Sequence, residues 1–230
     1  MKEGTLRVID VSTMKQVRLI KDAKEWISDI KFSPDGTRVA VGSHDNAIYI
    51  YTVPEFKRTG VIKKNTSFIT HIDWSEDGQA LQSNSGDYNL LFWNANDGKM
   101  LSASALKDEK WATFTCVLGN FYSEKDLKIN CYSLGFPVQG IWPPTADGSD
   151  INMVDRSHQP SSAGYPLLAT ADDFSKVKLF RYPCIQKGSE SVVGVGHSSH
   201  VTNVRFSNND ELLFSTGGED NCVFQWKLEQ

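Results

Sequence analysis

The sequence has little of what several common function classes require. It has no excess of positive charge: 24 Lys and Arg stand against 28 Asp and Glu in 230 residues, a net charge of −4. A basic nucleic-acid-binding surface is therefore not expected. No apolar run approaches the roughly 20 residues of a membrane span, and the opening residues, MKEGTLRVID, lack a signal peptide's apolar core. The four cysteines, Cys116, Cys131, Cys184 and Cys222, show no CxxC spacing, which makes a reduced, intracellular compartment the simplest expectation. His44-Asp45 and His197/His200 are close pairs of metal-ligand type without a third ligand at a familiar spacing, so neither metal nor cofactor is expected. No helical period runs over any comparable length. What is present is 40% apolar and 11% aromatic, enough to bury a core as one domain or as part of a larger one.

Four segments can be laid over one another: ISDIKFSPDGTRVAVGSHDNAIYIY from Ile27, ITHIDWSEDGQALQSNSGDYNLLFW from Ile69, INMVDRSHQPSSAGYPLLATADDFSKVKLF from Ile151 and VTNVRFSNNDELLFSTGGEDNCVFQW from Val201. Each opens with an alternating strand that ends on Ser33, Ser75, Ser157 or Ser207. A polar turn, a second apolar strand, a Gly/Ser/Asp turn and a third strand follow, the last closing on Tyr51, Trp93, Phe180 or Trp226. Ser33 and Ser75 lie 42 residues apart, Ser157 and Ser207 50. Short strands, Asp-containing turns and a terminal aromatic at a period of about 40–45 residues are the WD40 signature, so the expected fold is all-β, a WD40 β-propeller. The step from turn aspartate to aromatic is six residues for Asp45–Tyr51, Asp87–Trp93 and Asp220–Trp226. It is seven for Asp173–Phe180, which predicts a bulge or a shifted turn in the third copy.

The stretch VGHSSHVTNV, with Asp220 further on, could be read as parts of a hydrolase. Its residues recur in repeat register instead. In this motif a histidine before the first strand, a strand Ser or Thr, the turn aspartate and the strand-end Trp form a hydrogen-bonded network inside one blade. His197, Asp220 and Trp226 fill those roles in the last copy, and Asp45, Asp87 and Trp93 fill part of them in the first two. An enzyme would need nucleophile, base and orienting group together in a pocket, and nothing here requires one.

TLRVID reads as a third strand and KQVRLI as a fourth, while CVFQWKL is a third strand with no fourth after it. The expected strand groups are two, four, four, four and three, whereas a seven-bladed ring needs about 28 strands. The expectation is therefore an incomplete arc of about four blades from the C-terminal part of a propeller. Its bounds are 1–20 (partial blade), 21–62, 63–106, 107–194 (with a long insertion) and 195–230 (lacking its outer strand). Such an arc is expected to expose sheet edges. Between the second and third copies, WATFTCVLG and FPVQGIWPP suggest an added hairpin or paired strands.

A more specific resemblance rests on an ordered set of motifs: AVGSHDN, SNSGDYNLLFWN, TCVLG, GIWPPTADGSDIN, DRSH, ATADDFSKVKLFRYPC, HSSHVTNV and STGGEDN. Together, from about Lys21 to Leu228, they resemble the echinoderm microtubule-associated-protein-like family. The resemblance implies the end of a C-terminal propeller, a cytoplasmic cytoskeletal protein that binds tubulin or microtubules, and no catalytic activity. The sequence departs from the family pattern at Asn120–Gly135, sixteen residues carrying Glu124, Lys125, Asp126 and Lys128 that look like an addition, expected as an exposed, mobile loop.

Candidate partner contacts lie on the face shared by the loops entering each blade and those joining second to third strands: His44, Asp45, Asp87, Tyr88, Asp172, Asp173, Phe174, Glu219 and Asp220. Most have an alternative role as turn residues bonded to nearby N–H groups. Tyr88 and Phe174 are better binding candidates, because a turn does not need a bulky aromatic. Arg156 and His158 could contact a partner or cap their loop. Lys63-Lys64 and Lys176, Lys178 and Arg181 are the local basic groups a partner with an acidic surface would need, since the overall charge gives no steering toward one. The alternative to microtubule association is a general WD40 interaction scaffold within a larger complex.

Overall fold

A computed structural model describes residues 4–10, 12–106, 109–116, 120–122, 128–130, 138–142, 150–159, 161, 164–186 and 188–228. The strands group into antiparallel meanders, each strand pairing with its neighbour in sequence. β1 (Leu6–Ile9) and β2 (Gln16–Ile20) form a two-stranded sheet. β3 (Ile27–Phe32), β4 (Arg38–Ser43), β5 (Ile48–Thr52) and β6 (Arg58–Ile62) form a four-stranded one. So do β7 (Ile69–Trp74), β8 (Ala80–Ser85), β9 (Leu90–Asn94) and β10 (Met100–Leu101). A short ribbon of β11 (Asn120–Tyr122) and β12 (Lys128–Asn130) follows. β13 (Ile151–Arg156), β14 (Leu167–Asp172), β15 (Lys176–Arg181) and β16 (Val192–Val195) make the third four-stranded sheet. β17 (Val201–Phe206), β18 (Leu212–Gly217) and β19 (Val223–Lys227) make a sheet of three. Apart from the ribbon, the groups of two, four, four, four and three are those the repeats predict, and the all-β propeller class holds.

The recurrent serine has a local cause. Ser33, Ser75, Ser157 and Ser207 each accept a backbone N–H from the start of the second strand, at 3.0, 2.8, 2.8 and 3.0 Å. Three of these hydroxyls donate to a turn side chain two residues on, Asp35 at 2.5 Å, Asp77 at 2.6 Å and Asn209 at 2.8 Å. Ser157 donates to the Gln159 carbonyl instead. One side chain thus closes the first hairpin of each of the four repeats, competing with no ladder bond. Gly36, Gly78 and Asp210 take the positive φ these turns require, at 70°, 70° and 56°. Glycine does so freely and aspartate tolerably. Each first strand also carries a bulge at its entry, between Ile27/Asp29, Ile69/His71, Ile151/Met153 and Val201/Asn203.

Contacts divide the chain into two compact units, Met1–Ala112 with Gly119–Lys128, and Thr113–Leu118 with Ile129–Gln230. In the first unit, Ala40, Ile48, Ile50 and Ile62 pack on Ile69, Ile72, Trp74, Leu81 and Trp93 in one buried cluster. The Trp74 indole donates to the Lys31 carbonyl at 3.0 Å, and Asp29 accepts the Ile72 N–H at 3.0 Å. In the second unit, Met153, Ala169, Ala171 and Val177 pack on Val201, Val204, Phe206 and Leu213, with Asp155 accepting the Phe206 N–H at 2.9 Å. Because sheets pack on both faces, strands such as RVAVGS are buried almost throughout rather than alternating cleanly.

Two expectations need correction or restriction. The described parts of WATFTCVLG and FPVQGIWPP do not pair with each other. Trp111 bridges to Ser75, with the Glu76 N–H donating to Lys110 and the Ala112 N–H to Trp74, so this stretch extends the edge of β7. Gln139–Ile141 is a 3-10 turn; Pro137, Pro143 and Pro144 around it lack the N–H groups a ladder needs. The expected exposed loop over Asn120–Gly135 lies outside the described residues except at β11 and β12, which pair.

Candidate interaction surface and the blade network

Polar groups in the last sheet form a closed chain. His197 Nδ1 lies 2.8 Å from Asp220 Oδ2, and Nε2 lies 2.8 Å from Ser215 Oγ. The Trp226 indole donates to that same Oγ at 2.8 Å. A carboxylate only accepts, so in the neutral ring Nδ1 donates to Asp220 and Nε2 accepts the Ser215 hydroxyl proton. The connectivity Asp–His–Ser is that of a charge-relay triad. Its access is not: the His197 side chain is 0% exposed, Ser215 is 1% exposed, and the Phe224 ring lies edge-on to the imidazole at 4.6 Å. With the indole on its oxygen and the residue 1% exposed, Ser215 Oγ is not presented to a substrate carbonyl. The Cys222 backbone N–H does most to hold the Asp220 carboxyl below the usual range; burial opposes it, and His197 and the Ser198 N–H add to the lowering.

The other sheets carry parts of this chain at matching ladder positions. Ser83 accepts the Trp93 indole N–H at 2.8 Å and donates to Asn65 at 3.1 Å, the asparagine standing where His197 stands in the last sheet. Asp87 accepts from Ser85 at 2.6 Å, from Asn89 at 2.8 Å and from Thr66. Burial alone would raise its pKa, but the Ser85 and Thr66 hydroxyls outweigh that and lower it. In the first sheet Val41 occupies the serine position and nothing polar can form there. Asp45 instead accepts the Lys24 N–H at 2.8 Å, the Ala47 N–H at 3.2 Å and the Tyr49 hydroxyl at 2.7 Å, and Tyr51 donates to Asp22, which pairs with Arg58 at 3.0 Å. In the third, Thr170 matches Ser215, and its hydroxyl has no partner among the described residues. Phe180 replaces the tryptophan.

The seven-residue step in the third copy is a shifted turn, not a bulge. Residues 173–175 span the same length as 44–46 and 86–88, but Phe174 occupies the aspartate position. Asp172 does the capping, accepting the Phe174 and Lys176 N–H groups at 3.0 and 2.8 Å. Asp173 accepts the Asn152 amide at 2.8 Å. The last turn is one residue longer, with Gly217 where Ser43 and Ser85 stand. A Cβ at Gly217 would collide with the Asp220 carboxylate, so the longer turn and the glycine belong together.

Several candidate contacts have partners inside the protein. The Arg156 guanidinium lies between Phe114 and Tyr182, 5.7 and 5.4 Å from the ring centres. Lys178 pairs with Asp172 at 2.8 Å, Arg181 lies over Tyr165 at 4.9 Å, and His158 bonds Asp210 at 2.8 Å. Glu219 is exposed and Lys176 half-buried. Tyr88 and Phe174 are 52% and 62% exposed, as their turn positions predict. A third feature escapes the repeat pattern. Trp26, His44 and Phe68 stack, with centroids 5.5 and 4.7 Å apart and rings inclined by 30° and 24°. The rings come from a linker, a turn and the next linker, and only the aromatics before the first strands of the first two repeats, Trp26 and Phe68, hinted at them. Among the described residues, no group of three His, Cys, Asp or Glu side chains could hold a metal ion, and no helix is long and apolar enough to cross a membrane.

The profile described as "Echinoderm microtubule-associated protein second beta-propeller" matches residues 1–123 and 125–228. The chain is 44% identical over 230 residues to "Echinoderm microtubule-associated protein-like 2" of Rattus norvegicus, covering 98% of this chain and 32% of that protein. Against "Echinoderm microtubule-associated protein-like 3" of Mus musculus it is 42% identical over 231 residues, with 98% and 23% coverage. Against "Echinoderm microtubule-associated protein-like 4" of Mus musculus it is 44% identical over 231 residues, with 98% and 21% coverage. The chain thus spans between 21% and 32% of the length of these relatives.

Proposed function

Since this chain belongs to the echinoderm microtubule-associated protein family of β-propellers, we propose that it is a microtubule- or tubulin-associated propeller segment that acts in cytoskeletal organisation, in the cytoplasm, without catalysis. The observation that carries this reading is the match of the family profile along almost the whole chain, together with relatives named for microtubule association. The absence of catalysis is supported by the sequestered Ser215 hydroxyl: the Asp220–His197–Ser215 chain ends on an indole and holds the sheet together. The five bounded segments, 1–20, 21–62, 63–106, 107–194 and 195–230, are proposed as its blades and part-blades. Its binding groups are proposed to lie among exposed side chains at the turns and linkers, with Tyr88 and Phe174 as the retained candidates and the half-buried Lys176 at the start of β15 beside them.

Co-sedimentation with taxol-stabilised microtubules tests the reading. The purified chain is expected to pellet with polymer and to stay in the supernatant without it. Failure to pellet, together with failure to bind unpolymerised tubulin on a size-exclusion column, would reject the microtubule role and leave the general scaffold reading. Ester hydrolysis abolished by Ser215→Ala would reject the non-catalytic one.

A further inference from the structure

The repeats make equivalent positions comparable, and two neighbouring sheets depart from the other two. The residue before each first strand is Trp26, Phe68, Asp150 or His200. The positive-φ residue in each turn between second and third strands is Asn46, Tyr88, Ser175 or Asn221. Tryptophan, phenylalanine and tyrosine at these places are thus confined to the first two four-stranded sheets, while the last carries the His200 imidazole, which lies against Gly218 as Phe68 lies against Gly86. A tyrosine at φ 60° is a poor choice for backbone reasons, since asparagine or glycine adopts that conformation more readily. Packing does not account for it either, as the ring is 52% exposed. Trp26 and Phe68 are 49% and 40% exposed even within their stack. Gly86 contributes to the arrangement: a Cβ there would run into the Phe68 ring, so the glycine lets the ring lie flat over the turn that presents Tyr88. Cementing the two sheets would need the inner faces of these rings, not their exposed edges.

Of the exposed charges on the same linkers, most are positive, Glu25 beside Trp26 being the exception. The carboxylates of Asp22, Asp45 and Asp87 are occupied by Arg58 and Tyr51, by Lys24 N–H and Tyr49, and by Ser85, Thr66 and Asn89. Lys24, two residues from Trp26, and Lys63 and Lys64, just before the Phe68 linker, are exposed, and among the described residues they carry no ion pair. Exposed aromatic rings flanked by free ammonium groups are a hot-spot composition suited to an anionic peptide with an apolar side chain.

We propose that this strip, the Trp26–His44–Phe68 stack with Tyr88, Lys24, Lys63 and Lys64, is a docking site for an extended, acidic segment of a partner protein. The rings receive an apolar or aromatic side chain of the segment, and the lysines its carboxylates. The site is independent of the partner's identity, so it stands or falls separately from the microtubule role.

Fluorescence anisotropy of a labelled glutamate-rich peptide containing one phenylalanine tests it with the whole 230-residue chain. The peptide should bind, and binding should weaken as salt rises. The Lys63→Glu/Lys64→Glu double variant and Tyr88→Asn should each weaken it by about tenfold, equivalent to about 1.4 kcal/mol. Tyr88→Asn removes the ring while easing the backbone, so a melting temperature at or above the parent's separates lost binding from lost folding. Lys99→Glu, in the turn at the other end of the strands, should leave binding unchanged. Equal binding of a lysine-rich peptide, no binding of the glutamate-rich one, or parental affinity in both variants would overturn the proposal. If the variants lose the peptide but still pellet with microtubules, the acidic-segment site stands and microtubules bind elsewhere. If the chain never pellets but binds the peptide, only the microtubule role fails.

Discussion

Replacing Ser215 by alanine removes the hydroxyl that joins His197 to Trp226. The imidazole Nε2 then has no partner in a site from which water is excluded, the His197 side chain being 0% exposed. Leaving such a group unsatisfied costs about 1–3 kcal/mol. The Trp226 indole is only half-buried, so its N–H recovers part of the loss from solvent and adds roughly 0.5 kcal/mol. A net destabilisation of about 1.5–3.5 kcal/mol lowers the melting temperature of a chain this size by about 3–14 °C. The internal control is Thr170, at the same ladder position in the third sheet. It is 1% exposed, and its hydroxyl has no partner among the described residues. Thr170→Val therefore exchanges an unsatisfied hydroxyl for a methyl group of similar size and should be neutral or slightly stabilising, within about 0.5 kcal/mol. Ser83→Ala should resemble Ser215→Ala, since Trp93 is 0% exposed. Circular-dichroism melts and urea titrations of the three variants decide the matter. If Ser215→Ala melts within about 1 °C of the parent, or if Thr170→Val is as damaging as Ser215→Ala, the network is not what stabilises the sheet.

Other consequences concern acid, thiols and the longest turn. The Ser33 hydroxyl, followed by the Thr37 backbone and hydroxyl, lowers the Asp35 pKa from 3.8 to about 2, and the Ser75 hydroxyl lowers that of Asp77. Carboxyls depressed in the folded state stabilise it above their unfolded values and lose that contribution as pH falls through the folded ones. Melting temperature should therefore fall between about pH 4 and pH 2, and less steeply in Asp35→Asn/Asp77→Asn, an exchange for which Asn209 is the internal precedent; an unchanged slope would count against this origin. Cys222 is exposed whereas Cys116 and Cys184 are buried, and burial raises the Cys184 thiol pKa. In a Cys131→Ser background, a thiol reagent should label Cys222 fast and Cys116 and Cys184 only on opening, with Cys222→Ser deleting the fast phase; rapid labelling of Cys184 would contradict its placement. Gly217→Ala should lower the melting temperature by displacing the Asp220 carboxylate, whereas Ser85→Ala, which loses one hydroxyl bond to Asp87, should be milder. The reverse order would show that the glycine is not required by the longer turn.

The sequence by itself made legible the strands of the repeats and their order within each sheet, marked Ser33, Ser75, Ser157 and Ser207 as recurrent positions, and suggested that His197, Asp220 and Trp226 share one blade. These depend on alternation and on hydrogen bonds that close over short distances along the chain, so one copy of the repeat explains the next. It left open which aspartate caps the third turn: Asp172 and Asp173 are adjacent and chemically alike, and only the backbone direction at Phe174 chooses between them. It also offered Arg156, Lys178 and Arg181 as free cations, because the rings and carboxylate that hold them come from other strands and linkers. Tertiary structure alone decided the Trp26–His44–Phe68 stack. Each ring occupies an ordinary loop position, and their contact arises only because two sheets pack face to face and bring two linkers and a turn within ring-stacking distance. Proximity of that kind leaves no period in the sequence to read.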